Sequence, residues 1–356
     1  MTERALARID LGAITRNCRR LGEELVGGAR LGAVVKADGY GHGAREAAAA
    51  ALAGGARRLF VATAREARDL GGQPVPVAVM GAVTPDELRV ALDAGAEVTA
   101  WEPAFAAALP AGTGVHVKLD TGMGRLGTRD PAQATATAEA VVAAGGRVTG
   151  LMSHFATADE RGDAFFDEQL DRFIAWAVPL RERFPDALLH MANSAGTLRD
   201  PGCHFDLVRC GVAVYGLDPF MHDAQAERLE PALTLSSYVA AVKPLAPGES
   251  VGYGRRFVAS EPATIATIPI GYGDGLRRGL TNNAIVLIGG ERLPLVGTVS
   301  MDNVTALVGD KPVAVGDEVT LIGPGLPAEE MARRLDTINY EITCGLSSRV
   351  PRVHVA

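Results

Sequence analysis

Along the first two-thirds of the chain, short apolar runs alternate with alanine-rich stretches of helical spacing. Leu31–Val35 reads as a strand that ends in a glycine-rich turn, and Ala44–Ala53 follows as a helix. Leu59–Ala62 and Val75–Met80 read as strands, Ala64–Leu70 and Pro85–Ala94 as helices, with Thr84 as the N-cap of the second helix. Val115–Leu119, Val148–Met152, Leu188–Met191 and Val212–Tyr215 complete the strand series, with helices predicted over Pro131–Ala144 and Asp163–Phe184. Strands that alternate with helices call for a parallel sheet covered by helices, and near-continuous apolar strands fit burial on both faces. Roughly eight such units over about 220 residues predict a TIM (β/α)8 barrel. A doubly wound open sheet is the second choice, but no GxGxxG follows Val35.

The texture changes near Glu230. Strand-like runs then dominate: Thr234–Val242, Thr264–Ile270, Ala284–Ile288, Leu293–Val299, Val304–Val308 and Glu318–Ile322. Gly289-Gly290 and Val315-Gly316-Asp317 are turn signals between them, and one short helix, Ala328–Leu335, interrupts. The chain therefore divides into a barrel over 1–229 and a mostly-β domain over 230–356, with the first few residues free to pair with the second domain. A length of 356 residues agrees with two domains.

The formal net charge is −7 and no block of Lys and Arg stands out. Nucleic acid and anionic membranes are thus not expected partners. The four cysteines (Cys18, Cys203, Cys210, Cys344) show no CxxC pairing, so no metal site is expected. Scattered cysteines, and an N-terminus running from Met1-Thr2-Glu3-Arg4 into an amphipathic segment without an apolar leader, predict a cytoplasmic protein.

The most informative segment is Val34-Val35-Lys36-Ala37-Asp38-Gly39-Tyr40-Gly41-His42-Gly43. It sets a lysine at the C-terminal end of a barrel strand, where active sites of this fold form. Read alone, Lys36 is either a surface lysine before a flexible turn or an amine whose apolar flanks favour Schiff-base chemistry. Further segments stand out: Lys118 to Gly127 (KLDTGMGRLG), His154 to Asp159, Asn193-Ser194, Val208-Arg209-Cys210-Gly211, Gly252-Tyr253-Gly254, Ile268 to Gly275, Ser300-Met301-Asp302 and Ile338 to Glu341. Asn193-Ser194 opens a helix after Leu188–Met191, and helix N-termini attract anions.

Taken together, and in this order, these segments resemble the alanine racemase family over nearly the whole chain. The resemblance implies a pyridoxal 5′-phosphate (PLP) enzyme that interconverts L- and D-alanine and supplies D-alanine for peptidoglycan. It implies that Lys36 holds the cofactor through a Schiff base and acts as base on one face of the substrate. The second base is Tyr253 from another subunit of a homodimer with shared active sites. A free tyrosine has a pKa near 10, a poor base at neutral pH, so it needs tuning; the resemblance assigns this to His154 and Arg209. Arg209 also faces the cofactor's pyridine nitrogen and weakens the ring as an electron sink. The phosphate falls to Tyr40, Asn193, Ser194, Gly211, Val212 and Tyr340. The substrate carboxylate falls to Arg125 and the Met301 amide, with Asp302 beside it. Lys118 matches a lysine carried as a carbamate in some members, and Tyr272, Arg278 and Asp159 match the substrate access path.

Two positions depart from the family pattern. Cys210 stands where a proline is usual, and Ser300 where a cysteine is usual. The alternative reading is a broad-specificity amino-acid racemase of the same fold. A basic amino-acid decarboxylase disagrees with Ser300-Met301-Asp302, because those enzymes carry a catalytic cysteine on that loop. A non-catalytic PLP-binding barrel leaves the second domain without a purpose.

Overall fold

The computed structural model describes residues 3–356. Met1 and Thr2, the start of the segment read above as lacking a leader, lie outside the described residues. The first strand, β1 (Leu6–Asp10), does not enter the barrel. It pairs antiparallel with Leu233–Tyr238 and parallel with Arg352–Val355 in a six-stranded sheet of the second domain.

The barrel strands are β2 (Arg30–Val34), β3 (Arg58–Val61), β4 (Val77–Val79), β5 (Glu97–Ala100), β6 (Gly114–Lys118), β7 (Arg147–Met152), β8 (Leu188–His190) and β9 (Leu207–Cys210). Their parallel ladder runs β8-β7-β6-β5-β4-β3-β2-β9. The two ends meet where Asp206 N–H donates to Leu189 O and Arg209 N–H to Ala192 O. Helices cover the outside. Thr84 caps Pro85–Asp93 through a capping box with Glu87, which satisfies two free backbone donors. Ala, Val, Leu and Phe side chains of the strands form one core that continues into the β domain.

Several predicted elements shift. Val212–Tyr215 is not a strand; it is a buried 3-10 turn, and the last barrel strand is β9 just before it. A short, fully buried apolar run cannot be told from a buried helical turn by pattern alone, and Arg209 disguised the true strand. Strand β5 went unpredicted because Glu97 and Thr99 interrupt its apolar pattern. Asp163–Phe184 shortens to a helix over Phe165–Ala177, which ends ahead of Pro179. Thr234–Val242 divides between two sheets, as Leu233–Tyr238 and Ala241–Leu245. Ala328–Arg334 is not the lone helix of the β domain, since Asn339–Cys344 forms a second one that carries Tyr340.

Among the described residues, no helix is long and apolar enough to cross a membrane. All four cysteines are free thiols, with Cys18, Cys203 and Cys210 buried.

Candidate active site

Lys36 follows β2 and opens an unusual turn. Ala37, Asp38, Gly39, Tyr40 and Gly41 all take left-handed backbone angles, with φ of 52°, 53°, 62°, 54° and 85°. Each non-glycine residue in that region costs about 1–2 kcal/mol, so the fold must hold the turn in place. Ala37 N–H donates to Glu66 Oε1 at 2.8 Å, and Ala44 N–H to Asp38 Oδ1 at 2.9 Å. From the far end of the chain, Arg352 Nε donates to Gly41 O at 3.1 Å and His354 Nε2 to His42 O at 2.8 Å. Gly41 has no room for a side chain, because a Cβ there would stand 2.2 Å from Thr343 O. His42, given no role above, braces the turn: its ring stacks on Tyr215 at 4.5 Å, and its Nδ1–H donates to the carbonyls of Gly39 and Tyr40.

This turn aims Tyr40 inward. Its ring stacks on Tyr215 at 5.1 Å and lies 6.0 Å from Tyr340 and 6.0 Å from Lys36 Nζ. A Cβ at Gly211 would stand 2.3 Å from Tyr40 Oη, so the hydroxyl rests against the bare backbone of Gly211. Asn193, not Ser194, caps the helix Ser194–Arg199, accepting from Gly196 N–H at 2.9 Å. Ser194 Oγ instead accepts from Gly211 N–H at 3.0 Å and from Ala213 N–H at 3.3 Å. Val212 opens the 3-10 turn beside it. Tyr40, Ser194, Gly211, Val212 and Tyr340 thus converge on one polar hollow, with the Asn193 side chain serving the helix end. Cys210 sends its thiol away from the hollow, toward Thr197 Oγ1 at 3.4 Å.

The opposite wall is cationic. Arg209 is buried at the end of β9. Its Nη1 donates to His190 Nδ1 at 2.7 Å and to His190 O, and its Nη2 to His154 Nδ1 at 3.0 Å and to the carbonyls of Ser153 and Met191. Nε–H makes no hydrogen bond among the described residues. A guanidinium only donates, so His154 Nδ1 must accept and its proton sits on Nε2. Burial, then Arg209 and Lys118, hold His154 well below its ordinary pKa and keep the ring neutral. Burial lowers Lys118 to about 7, with Arg209 and Arg125 adding to the effect. The same two causes, burial first and then Arg125, lower Lys36.

Asp120 shapes the turn that presents Arg125, accepting from Gly122 and Gly124 N–H groups at 3.0–3.1 Å. Arg125 is exposed and makes no hydrogen bond or ion pair among the described residues. Gln169, missed in the sequence, is fully buried and ties the loop after β7 together through Ala156 N–H, His154 O and Thr121 Oγ1. Glu66 was missed as well. Its only sequence signal was the capping box that it completes with Thr63.

Tyr253, Met301 and Asp302 lie on the β domain and, among the described residues, make no hydrogen bond to a barrel residue. Tyr253 is 74% exposed and Met301 51%. Ser300 Oγ braces their loop through both backbone groups of Asn303, and Arg349 Nη2 donates to Asp302 Oδ1 at 2.7 Å. Buried Asp274 lies behind this loop and binds Arg4 and the Gly271 N–H.

Residues 9–219 match the model of the alanine racemase N-terminal domain, and residues 232–354 that of the C-terminal domain. The alanine racemase of Symbiobacterium thermophilum is 41% identical over 98% of this chain and 96% of its own length. That of Thermobifida fusca is 40% identical over 99% of both. Among solved structures, alanine racemase from Streptomyces coelicolor A3(2) superposes with a TM-score of 0.92 at 37% identity, covering 99% of this chain and 98% of that one. The enzyme from E. faecalis gives 0.93 at 36% identity over the same shares. By both domains and along its whole length, this chain belongs to the alanine racemase family.

Proposed function

We propose that this chain binds PLP at Lys36 and interconverts L- and D-alanine, in a homodimer whose subunits complete each other's sites, supplying D-alanine for peptidoglycan. The observation that carries the reading is the pairing of a polar hollow, closed by Tyr40 against side-chain-free Gly211, with a buried arginine whose Nε–H is unspent. The hollow suits a phosphate and the arginine a pyridine nitrogen, so the residues present fit the cofactor.

Tyr40, Ser194 and Tyr340 hydroxyls and the Val212 amide would hold the phosphate, joined by the Gly211 amide where it gives up Ser194 Oγ, and Lys36 Nζ would hold the group covalently. When bound, the cofactor supplies an electron sink that acidifies the substrate Cα–H. Lys36, which the substrate amine would displace from the group and whose proton affinity is lowered by burial, would then move a proton on one face. Arg125 draws the substrate carboxylate, and the Met301 amide with Asp302 completes that pocket from the second copy. A neutral Lys118 amine is nucleophilic enough to take up carbon dioxide, and the resulting carbamate would give Arg125 an anionic partner.

On the other face the base is Tyr253 of the second copy. His154 presents Nε2–H outward because Arg209 occupies Nδ1. An N–H donor stabilises a phenolate, which makes a phenol a usable base near neutral pH. Exposure of Tyr253 and Met301 on one domain supports their use by a neighbouring copy.

The test is to incubate the PLP-loaded protein with single enantiomers of alanine, serine and larger amino acids, followed by chiral chromatography. Alanine racemisation well above the others is expected. Efficient turnover of larger side chains would replace this reading with the broad-specificity one.

A further inference from the structure

The barrel interior holds a row of ionisable groups that the chemistry above leaves unused. From Arg209, the row passes to His190 on β8. His190 Nε2 lies 2.8 Å from His116 Nδ1 on β6, and His116 Nε2 lies 2.8 Å from Glu97 Oε2 on β5. Glu97 pairs with Arg58 at the start of β3. None of the five is more than 8% exposed. The row runs from the catalytic face to the barrel floor, where the exposed Arg30 and Arg147 add positive charge around Arg58.

With both rings neutral, the bond to Arg209 orders the protons along the row, and His116 Nε2 shares the Glu97 carboxylate with Arg58 Nη1, which lies 3.4 Å away. The guanidinium has no acceptor, so His190 Nδ1 must accept. A neutral His190 then carries its proton on Nε2 and donates to His116 Nδ1. A neutral His116 carries its own on Nε2 and donates to the Glu97 carboxylate. A second proton on either ring would set two N–H groups head to head. Burial, with Arg209 and Arg58 nearby, keeps both rings neutral.

The surrounding backbone is cut to fit. Gly150 on β7 faces the bond between the two rings, and a Cβ there would stand 2.2 Å from His116 Nδ1 and 2.6 Å from His190 Nε2. The Phe60 ring packs against both imidazoles, at 6.0 and 5.8 Å between centroids.

We propose that Arg209, His190, His116 and Glu97 form a one-way donor chain through which an anion on the barrel floor sets the position and polarity of the guanidinium at the cofactor end. His190, His116 and Glu97 are positioning residues for this purpose. The carboxylate draws the proton of His116 toward itself, which makes His116 Nδ1 a better acceptor. The effect passes to His190 and so to Arg209, because linked hydrogen bonds polarise one another in a low-dielectric interior. The role of Arg209 toward the cofactor rests on the function proposed above.

The experiment uses the PLP-loaded protein labelled with 15N at histidine. Side-chain spectra at neutral pH should show His190 and His116 as neutral rings protonated on Nε2. A proton on Nδ1 of either ring, or two protons on one, overturns the proposal. Glu97→Gln keeps the shape and removes the charge. It should shift the His190 Nδ1 signal, move the cofactor's visible absorption band and lower kcat roughly tenfold, as remote coupled residues do, with KM for alanine nearly unchanged. Gly150→Ala parts the rings without touching charge and should give the same signature. If both variants lose only thermal stability, with wild-type histidine spectra and kcat, the chain is packing alone and the proposal falls. Wild-type turnover tests the functional reading separately, since the tautomers are legible whether or not alanine is racemised.

Discussion

Replacing Gly211 with alanine probes the contact with Tyr40 on which the proposed phosphate site depends. The new methyl would stand 2.3 Å from Tyr40 Oη and 2.8 Å from Tyr40 Cζ, roughly 1 Å short of ordinary contact. Tyr40 has little freedom to yield. Its backbone is fixed in the left-handed turn, and its ring is stacked on Tyr215 with the tilted Tyr340 ring 6.0 Å away. The strain of overpacking should cost about 1–3 kcal/mol of stability with or without cofactor. Withdrawal of the hydroxyl should also remove one hydrogen bond to a charged phosphate, worth about 1.5–3 kcal/mol. PLP affinity should therefore fall about 10- to 150-fold. Cofactor-free wild-type and Gly211→Ala proteins would be titrated with PLP by absorbance, and thermal melts of the unloaded proteins would measure the strain alone. If the variant melts lower yet binds PLP with wild-type affinity, Tyr40 and Gly211 do not hold the phosphate.

Three other outcomes are expected. Mixing Lys36→Ala chains with Tyr253→Ala chains should restore one intact site per mixed dimer; activity that stays absent while both chains fold and dimerise excludes shared sites. In Tyr253→Ala, exchange of the α-proton of L-alanine with D2O should fall by about 10²- to 10⁴-fold while D-alanine exchange through Lys36 persists, and equal residual exchange for both enantiomers excludes two bases. Lys118 is lowered to about 7 from 10.5, so its buried charge destabilises the fold fully below pH 7, and the penalty fades as pH rises toward 10.5. In urea unfolding of cofactor-free protein in carbonate-free buffer, wild type should gain up to about 1.4 kcal/mol per pH unit over Lys118→Met in that window, and parallel pH profiles would contradict the assignment.

The barrel was legible because its strands are apolar and its helices carry sequence caps such as Thr84. What escaped was governed by polar groups inside the barrel. Glu97 hid β5, and Arg209 hid β9, because a strand that sends an ionisable side chain inward no longer looks like a buried strand. The signal existed: His116 and His190 sit within apolar runs, where a histidine demands a partner. Lys36, Arg125 and Ser194 were visible as members of a family motif, but the means of holding them were not. Asp120 shapes the Arg125 turn through bonds two and four residues away, whereas Gln169 and Glu66 act across the fold, and no local pattern reports that. The helix bearing Tyr340 is only six residues long, too short for a periodic signal, and depends on Asn339 reaching Asp218 O and Glu329.

Strand β1 lies between a strand that begins at Leu233 and one that begins at Arg352, with Ala7 beside Arg352 and Asp10 beside Val355. During synthesis β1 must therefore wait, unpaired on one side, until nearly all of the chain described here has been made. At about 5–20 residues per second, that delay is roughly 20–70 s. The residues leading into β1 include Arg4, which holds Asp274 behind the Met301-Asp302 loop, and the closing strand supplies Arg352 and His354 to the turn after Lys36. Closing this sheet thus braces both the turn after Lys36 and the loop of Met301 and Asp302. Without Arg352 and His354 the Gly41 and His42 carbonyls would lose these donors, so the strand that closes the sheet also anchors the turn after Lys36.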